Sequence, residues 1–283
     1  MRMGVLLTDF LLFENTDKDL VVDTAAMLAG VAAKSQARVM FDRAADVSHF
    51  NYFGNLETRN ALRDWLVADE TDALDAFRAI PGGFTSLDAA GIGKSRGTAA
   101  ADRPVVVVLP GVMGTYLDAD GKRVWLDPLS LAGGALQRIA FGAQRVTAGE
   151  LFGKTYGDIC EHLADSHRVL PFPYDWRQPL DVLGERLGTF LDLLLKQTAQ
   201  PVRLLAHSMG GLVVRACIHR RRDVMDALMQ RDGARLIMAG TPHQGSHSMV
   251  ENLLGKGNAL RALARLDFRH DMQDVLDIVS GFR

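Results

Sequence analysis

The 283-residue sequence predicts an α/β fold built on a parallel sheet, and three features predict it. Short apolar runs, Val105–Leu109, Val202–Ala206 and Arg235–Ala239, alternate with stretches whose apolar residues recur at helical spacing, such as 180–196 and 210–220. Strands that alternate with helices pair in parallel and are covered on both faces, so they read as unbroken hydrophobic runs. A tight turn at 206–210, Ala-His-Ser-Met-Gly, joins one strand directly to a helix. A Gly/Ala/Ser-rich stretch without periodicity, residues 81–103, acts as a linker between a segment of residues 1–80 and a longer one of residues 104–283.

In the longer segment Val105–Leu109 is the first buried strand and Arg168–Pro171 a shorter second one. Leucines at helical spacing then fill 180–196, and Val202–Ala206 and Arg235–Ala239 complete the strands. After Gly245 the strand signals stop. Residues 248–283 are helical in pattern, with Leu253, Leu254, Leu260, Leu263, Leu266 and Phe268 as apolar positions, and read either as a lid-like cover or as core-facing helices. In the shorter segment Val5–Phe13 and Arg38–Phe41 read as strands, and a helix from Leu56 to Val67 closes it.

Composition narrows the function classes. With 48% hydrophobic and 23% charged residues and a formal net charge of −2, the chain lacks the basic excess of a nucleic-acid binder. The one basic cluster, Arg220–Arg222, ends a predicted helix, where it complements the helix dipole. Cys160 and Cys217 have no metal-ligand spacing and read as buried free thiols. Asp9 interrupts the apolar N-terminal run and no small-residue cleavage site follows it, so no signal peptide is expected; no run has the length of a membrane span. A cytoplasmic location is the expectation. Gly91-Ile92-Gly93-Lys94-Ser95 is not a phosphate loop, because Asp88 occupies a position that needs glycine and no strand precedes it. No metal or organic cofactor is implied.

The strongest motif centres on Ser208. Ala206 and Gly210 are the small residues that a sharp strand-to-helix turn requires, and such a turn projects the serine hydroxyl while the helix N-terminus aims its N–H groups at the same point. A serine nucleophile generates a tetrahedral oxyanion that needs two donors. The Met209 amide, immediately after the nucleophile, supplies one; the loop Leu109-Pro110-Gly111-Val112-Met113-Gly114 supplies the second, with Val112 the candidate. His207, adjacent in sequence, is expected to point away from the hydroxyl and is not the candidate base.

Five motifs together resemble one family. Pro110-Gly111-Val112-Met113-Gly114-Thr115, Trp125-Leu126-Asp127-Pro128, Tyr174-Asp175-Trp176-Arg177, the Ala206–Gly211 turn and Gly240-Thr241-Pro242-His243-Gln244-Gly245-Ser246 look like the lecithin–cholesterol acyltransferase-like branch of the α/β-hydrolases. The resemblance covers 104–283; Thr115 stands where that family often has serine. It implies hydrolysis of lipid or other carboxylic esters, or transfer of the acyl group to an alcohol, with an ester or lipid substrate and contact with a lipid surface. For Tyr174–Arg177 it implies a role at the rim of the site, beside the plainer reading of an Arg–Asp pair that braces a loop.

A serine nucleophile needs a base and the base an orienting acid, which in this fold follow in the order Ser, acid, His. Downstream of Ser208 the two further strands that would carry them are missing. His243 comes too early, His247 and His270 fall in the lid-like region, and Asp267, Asp271, Asp274 and Asp277 read as a solvated helix face. The shorter segment offers both groups. Asp17-Lys18-Asp19-Leu20-Val21-Val22-Asp23 resembles the acid-bearing turn of many α/β-hydrolases, with Asp19 the acid and Asp17 the reserve, although Asp23 replaces the usual proline. His49 follows the strand at 38–41 and precedes the helix at 56, as the catalytic-histidine loop would. The expectation is therefore a parallel-sheet α/β-hydrolase fold with its halves in reversed order, either by circular permutation or as a fragment of tandem domains; a chain ending in mid-pattern at 280–283 favours the latter. The linker, spanning roughly 25–30 Å in root-mean-square terms, permits either. The expected activity is that of a serine esterase, lipase or O-acyltransferase, against a non-catalytic module whose triad halves never meet. Oligomeric state is left open.

Overall fold

The computed structural model describes residues 38–40, 49, 51–68, 74, 76–79 and 103–281. In chain order the strands are β1 (Arg38–Val39), β2 (Arg78–Ala79), β3 (Val105–Leu109), β4 (Thr115–Ala119), β5 (Lys122–Trp125), β6 (Val146–Leu151), β7 (Arg168–Pro171), β8 (Val202–His207) and β9 (Arg235–Ala239). The α-helices are α1 (Leu56–Val67), α2 (Pro128–Ala132), α3 (Gly153–Ala164), α4 (Leu180–Gln197), α5 (Met209–Arg220), α6 (Arg222–Met229), α7 (His247–Leu253), α8 (Asn258–Leu266) and α9 (Met272–Ser280).

Four parallel strands in the order β7-β3-β8-β9 form the central sheet. Every residue of β3 and β8 is buried, as two-sided coverage of a parallel sheet demands. Helix α4 buries Leu183, Leu187, Leu191 and Leu194, one stripe at spacings of three and four. It packs so closely on α5 that a β-carbon at Gly184 would lie 2.7 Å from the Ala216 carbonyl carbon. The register pairs Leu109 of β3 with Ala206 of β8, and His207 of β8 with Ala239 of β9. The three strands thus end together, and their exit loops meet at one edge of the sheet, where ligands bind in open α/β sheets.

A second sheet, antiparallel and ordered β5-β4-β6, is inserted between β3 and α3. It is tied to the first strand's exit loop by the Phe152 N–H, which donates to the Gly114 carbonyl.

Helix α1 has the predicted bounds, and its N-cap Asn55 accepts from the Thr58 N–H. The segment before and along α1 lies on the central sheet and α3. Phe53 is buried with its ring 5.8 Å from that of Tyr156 and 5.4 Å from that of His207, and Arg59 pairs with Asp158 at 2.9 Å. From β9, the Arg235 guanidinium donates to the carbonyls of Trp65 and Ala68 at the end of α1. Among the described residues β1, expected in the parallel sheet, pairs instead with β2 as an antiparallel ribbon.

At the C-terminal end α8 buries Leu260 and Leu263, and α9 buries Val275 and Ile278. The Phe268 N–H donates to the Ala132 carbonyl at the end of α2. Among the described residues no helix is long and apolar enough to cross a membrane.

Candidate active site

Ser208 sits between β8 and α5 with φ 52° and ψ −122°, in the positive-φ region that a non-glycine residue occupies only under constraint, at roughly 1–3 kcal/mol. Its N–H donates to the Ala239 carbonyl at 2.7 Å and its own carbonyl accepts from Gly211 at 3.0 Å, so the turn is held on both sides. A β-carbon at Gly210 would lie 2.6 Å from the Pro110 carbonyl oxygen. The small residue that the motif requires is thus explained by contact with the neighbouring strand's exit loop.

His49 and Ser208, 159 positions apart, meet: His49 Nε2 lies 2.8 Å from Ser208 Oγ, and both side chains are buried. That separation is the hydrogen-bond reach of a base and the hydroxyl it deprotonates. The His49 ring is flanked by Tyr52 at 6.0 Å and His207 at 5.1 Å between centroids. Its remaining space is left by Gly240, which has φ 59° and where a β-carbon would come within 3.2 Å of His49 Cε1. The exit turn of β9 needs glycine there for backbone conformation and for room.

His207 does face away from the hydroxyl, and its two ring nitrogens show why. Nε2 bonds the His49 carbonyl oxygen at 2.9 Å, and Nδ1 bonds Tyr156 Oη at 2.8 Å. Tyr156 Oη in turn accepts from the Gly111 N–H at 2.7 Å. Burial pushes the Tyr156 phenol above its usual range, so it stays protonated.

The loop after β3 lies against this assembly. A narrow cavity beside the serine is lined by Gly111, Val112, Met113, Phe152 and Tyr156 together with Ser208. Among the described residues neither the Val112 nor the Met209 amide has a backbone acceptor. Tyr174 Oη donates to the Pro110 carbonyl at 2.5 Å and Trp176 Nε1 to the Thr115 carbonyl at 3.0 Å, which fixes both ends of the loop. Arg177 forks onto Asp175 at 2.8 and 2.6 Å and donates to the carbonyls of Ile139 and Ala140. All four side chains of Tyr174–Arg177 are buried, so this tetrapeptide braces the site from beneath.

Asp19 and Asp17 lie outside the described residues. His243 accepts at Nδ1 from Arg215, and His247 opens α7. Asp267 is not on a solvated helix face as the pattern suggested: α8 stops at Leu266, and Asp267 is buried, accepting from the Arg269 and His270 amides and from His270 Nδ1 at 2.8 Å. Cys217 is buried and Cys160 half-buried; both are free. Among the described residues no cluster of His, Cys, Asp or Glu could hold a metal ion. Sequence reasoning did not single out Tyr156, and no local pattern marks it.

A parallel α/β sheet with a serine in a strained strand-to-helix turn, faced by a histidine, is the arrangement of an α/β-hydrolase. Residues 154–268 match the family model of lecithin:cholesterol acyltransferase, which is consistent with a segment similar to that branch of the α/β-hydrolases. The matched segment holds Tyr174–Arg177, the Ser208 turn and the Gly240–Ser246 loop, three of the five motifs that carried the resemblance. No curated protein and no solved structure matches the chain. The family points to lipid acyltransferase or esterase-like chemistry.

Proposed function

We propose that the protein is a serine esterase, lipase or O-acyltransferase that acts on carboxylic, lipid-type esters through an acyl-enzyme. Ser208 Oγ attacks the ester carbonyl while His49 Nε2 takes its proton; the Val112 and Met209 amides hold the oxyanion. Collapse of the tetrahedral intermediate breaks the ester bond, and His49 returns the proton to the departing alcohol. Water or an acceptor alcohol then attacks the acyl-Ser208 ester, again deprotonated by His49, and frees the serine. Asp19 is the orienting acid of His49. The same reading makes residues 1–80 the completing half of the hydrolase whose nucleophile half is 104–283, in reversed order along one chain, with α7–α9 as a lid-like cap. Exclusion of water by that cap favours transfer over hydrolysis.

The observation that carries the proposal is the buried 2.8 Å contact between His49 Nε2 and Ser208 Oγ across the linker. A fluorophosphonate probe tests it. Labelling of the wild type that disappears in both Ser208→Ala and His49→Ala is the expected result. Labelling that survives His49→Ala removes the histidine from the mechanism, and no labelling of a folded wild type leaves a non-catalytic module.

A further inference from the structure

We propose that Tyr156 and His207 are positioning residues that tie the oxyanion loop to the general base through one directional hydrogen-bond wire. The inference rests on the functional reading above and adds two residues to it. The wire runs Gly111 N–H, Tyr156 Oη, His207, His49 carbonyl, with separations of 2.7, 2.8 and 2.9 Å.

Its direction is fixed by its two ends. A backbone N–H can only donate and a backbone carbonyl can only accept. Tyr156 Oη therefore accepts from Gly111 and has one proton to give, which points to His207 Nδ1. An accepting Nδ1 places the His207 proton on Nε2, the nitrogen that faces the His49 carbonyl. Each link fixes the next, and for a neutral His207 no other proton arrangement satisfies all three contacts. Burial of Tyr156 and His207, both 2% exposed, keeps water from replacing a link.

Both ends of the wire carry reacting groups. Gly111 precedes Val112, the candidate oxyanion donor. His49, whose carbonyl is held, presents its ring to Ser208 Oγ. The links join residues 45, 51 and 158 positions apart. The wire joins the residue before the oxyanion donor to the residue that carries the base and so sets the distance between them, which must be right at the same moment in the transition state.

The test uses the full chain and three variants. In the wild type, histidine-selective NMR is expected to show His207 protonated at Nε2 only. Tyr156→Phe, which cuts the link to the oxyanion loop while the His49 carbonyl still holds the Nε2 proton, is expected to lower kcat roughly 10–100-fold with KM held within about threefold, since a misplaced donor and base hurt the transition state more than substrate binding. His207→Gln keeps an N–H for the His49 carbonyl and is expected to retain several-fold more activity than His207→Leu. Tyr156→Phe turning over within twofold of the wild type, or a wild-type His207 protonated at Nδ1, overturns the wire. Should Tyr156→Phe not fold, equal losses in His207→Gln and His207→Leu overturn it instead. A wild type that fails to label at Ser208 sinks the hydrolase reading, while the tautomer measurement still judges the wire by itself.

Discussion

Strand β8 buries a polar side chain near each end, Arg203 at its start and His207 at its finish, and each meets a buried histidine network. At the start, Arg203 donates to His167 Nε2 at 2.6 Å and to the Gly233 carbonyl at 3.0 Å, while His167 Nδ1 meets Ser166 Oγ at 2.8 Å. Burial and then the Arg203 charge push His167 down to about 3, so it is a neutral acceptor for a buried cation. At the finish, His207 is gripped by Tyr156 and by the carbonyl of His49, and the ring of His49 faces a serine held at positive φ. The two networks are built from similar parts. The partners named at the start come from the loops around the sheet's own strands and satisfy one another. Those at the finish come from as far as residue 49, 158 positions away in the chain, and end on a hydroxyl with a cavity beside it. A polar network becomes a site when one member is left facing space and strain is stored next to it; a network that closes on itself is a brace.

That contrast breaks most sharply at His49. On the functional reading, His49→Ala lowers kcat toward an ester by roughly 10⁴–10⁶-fold, measured by steady-state hydrolysis, because loss of one triad member removes most of what the unit achieves. A reduction below tenfold removes His49 from the chemistry.

Gly240→Ala is the next largest effect. It forces a non-glycine residue to φ 59° and brings a β-carbon within 3.2 Å of His49 Cε1. The expected result is a loss of about 1–2 kcal/mol in urea unfolding together with a loss of roughly 100-fold in kcat, as the ring is pushed from the serine. Stability loss without activity loss would show that the turn does not set the histidine.

At the other end of β8 the expected pattern is inverted. His167→Leu strips Arg203 of a 2.6 Å acceptor inside the protein and costs about 1–3 kcal/mol or more, while activity per folded molecule stays at the wild-type level. Urea unfolding and active-site titration on one sample check both halves of this statement.

The parallel part of this architecture was legible because burial on both faces writes itself into composition. Val105–Leu109, Arg168–Pro171 and Arg235–Ala239 have their predicted bounds, and β8 extends the predicted Val202–Ala206 only by His207. That one added residue is the pivot of the wire, and a strand-end histidine carries no sign of what lies 51 and 158 positions away. The antiparallel insertion was missed although it held a signal: Asp120-Gly121, at φ 50° and 72°, form the two-residue turn between β4 and β5 that Asp-Gly favours in hairpins. Asp267 was misread because a helical pattern running on from Leu266 conceals where the helix stops. The turn at Ser208 was readable because its small neighbours mark a local backbone shape, whereas Tyr156 meets its partners through contacts that only the fold creates.

The smallest predicted effect separates the two networks by pH. Unfolded, His167 titrates near pH 6.5; folded, it holds off protonation until about pH 3. Below pH 6.5 the unfolded chain therefore binds a proton that the folded chain refuses. Stability from this group is fully present above pH 6.5 and falls by up to about 1.4 kcal/mol per pH unit as the pH drops toward 3. Between pH 7 and pH 5 the wild type should lose about 2 kcal/mol more than His167→Gln in urea unfolding, because glutamine keeps a carbonyl acceptor for Arg203 and does not titrate. Parallel curves for the two proteins would mean that His167 is protonated in the folded state and shares its site with Arg203 as a second cation, and the start of β8 would then be a strained site of its own.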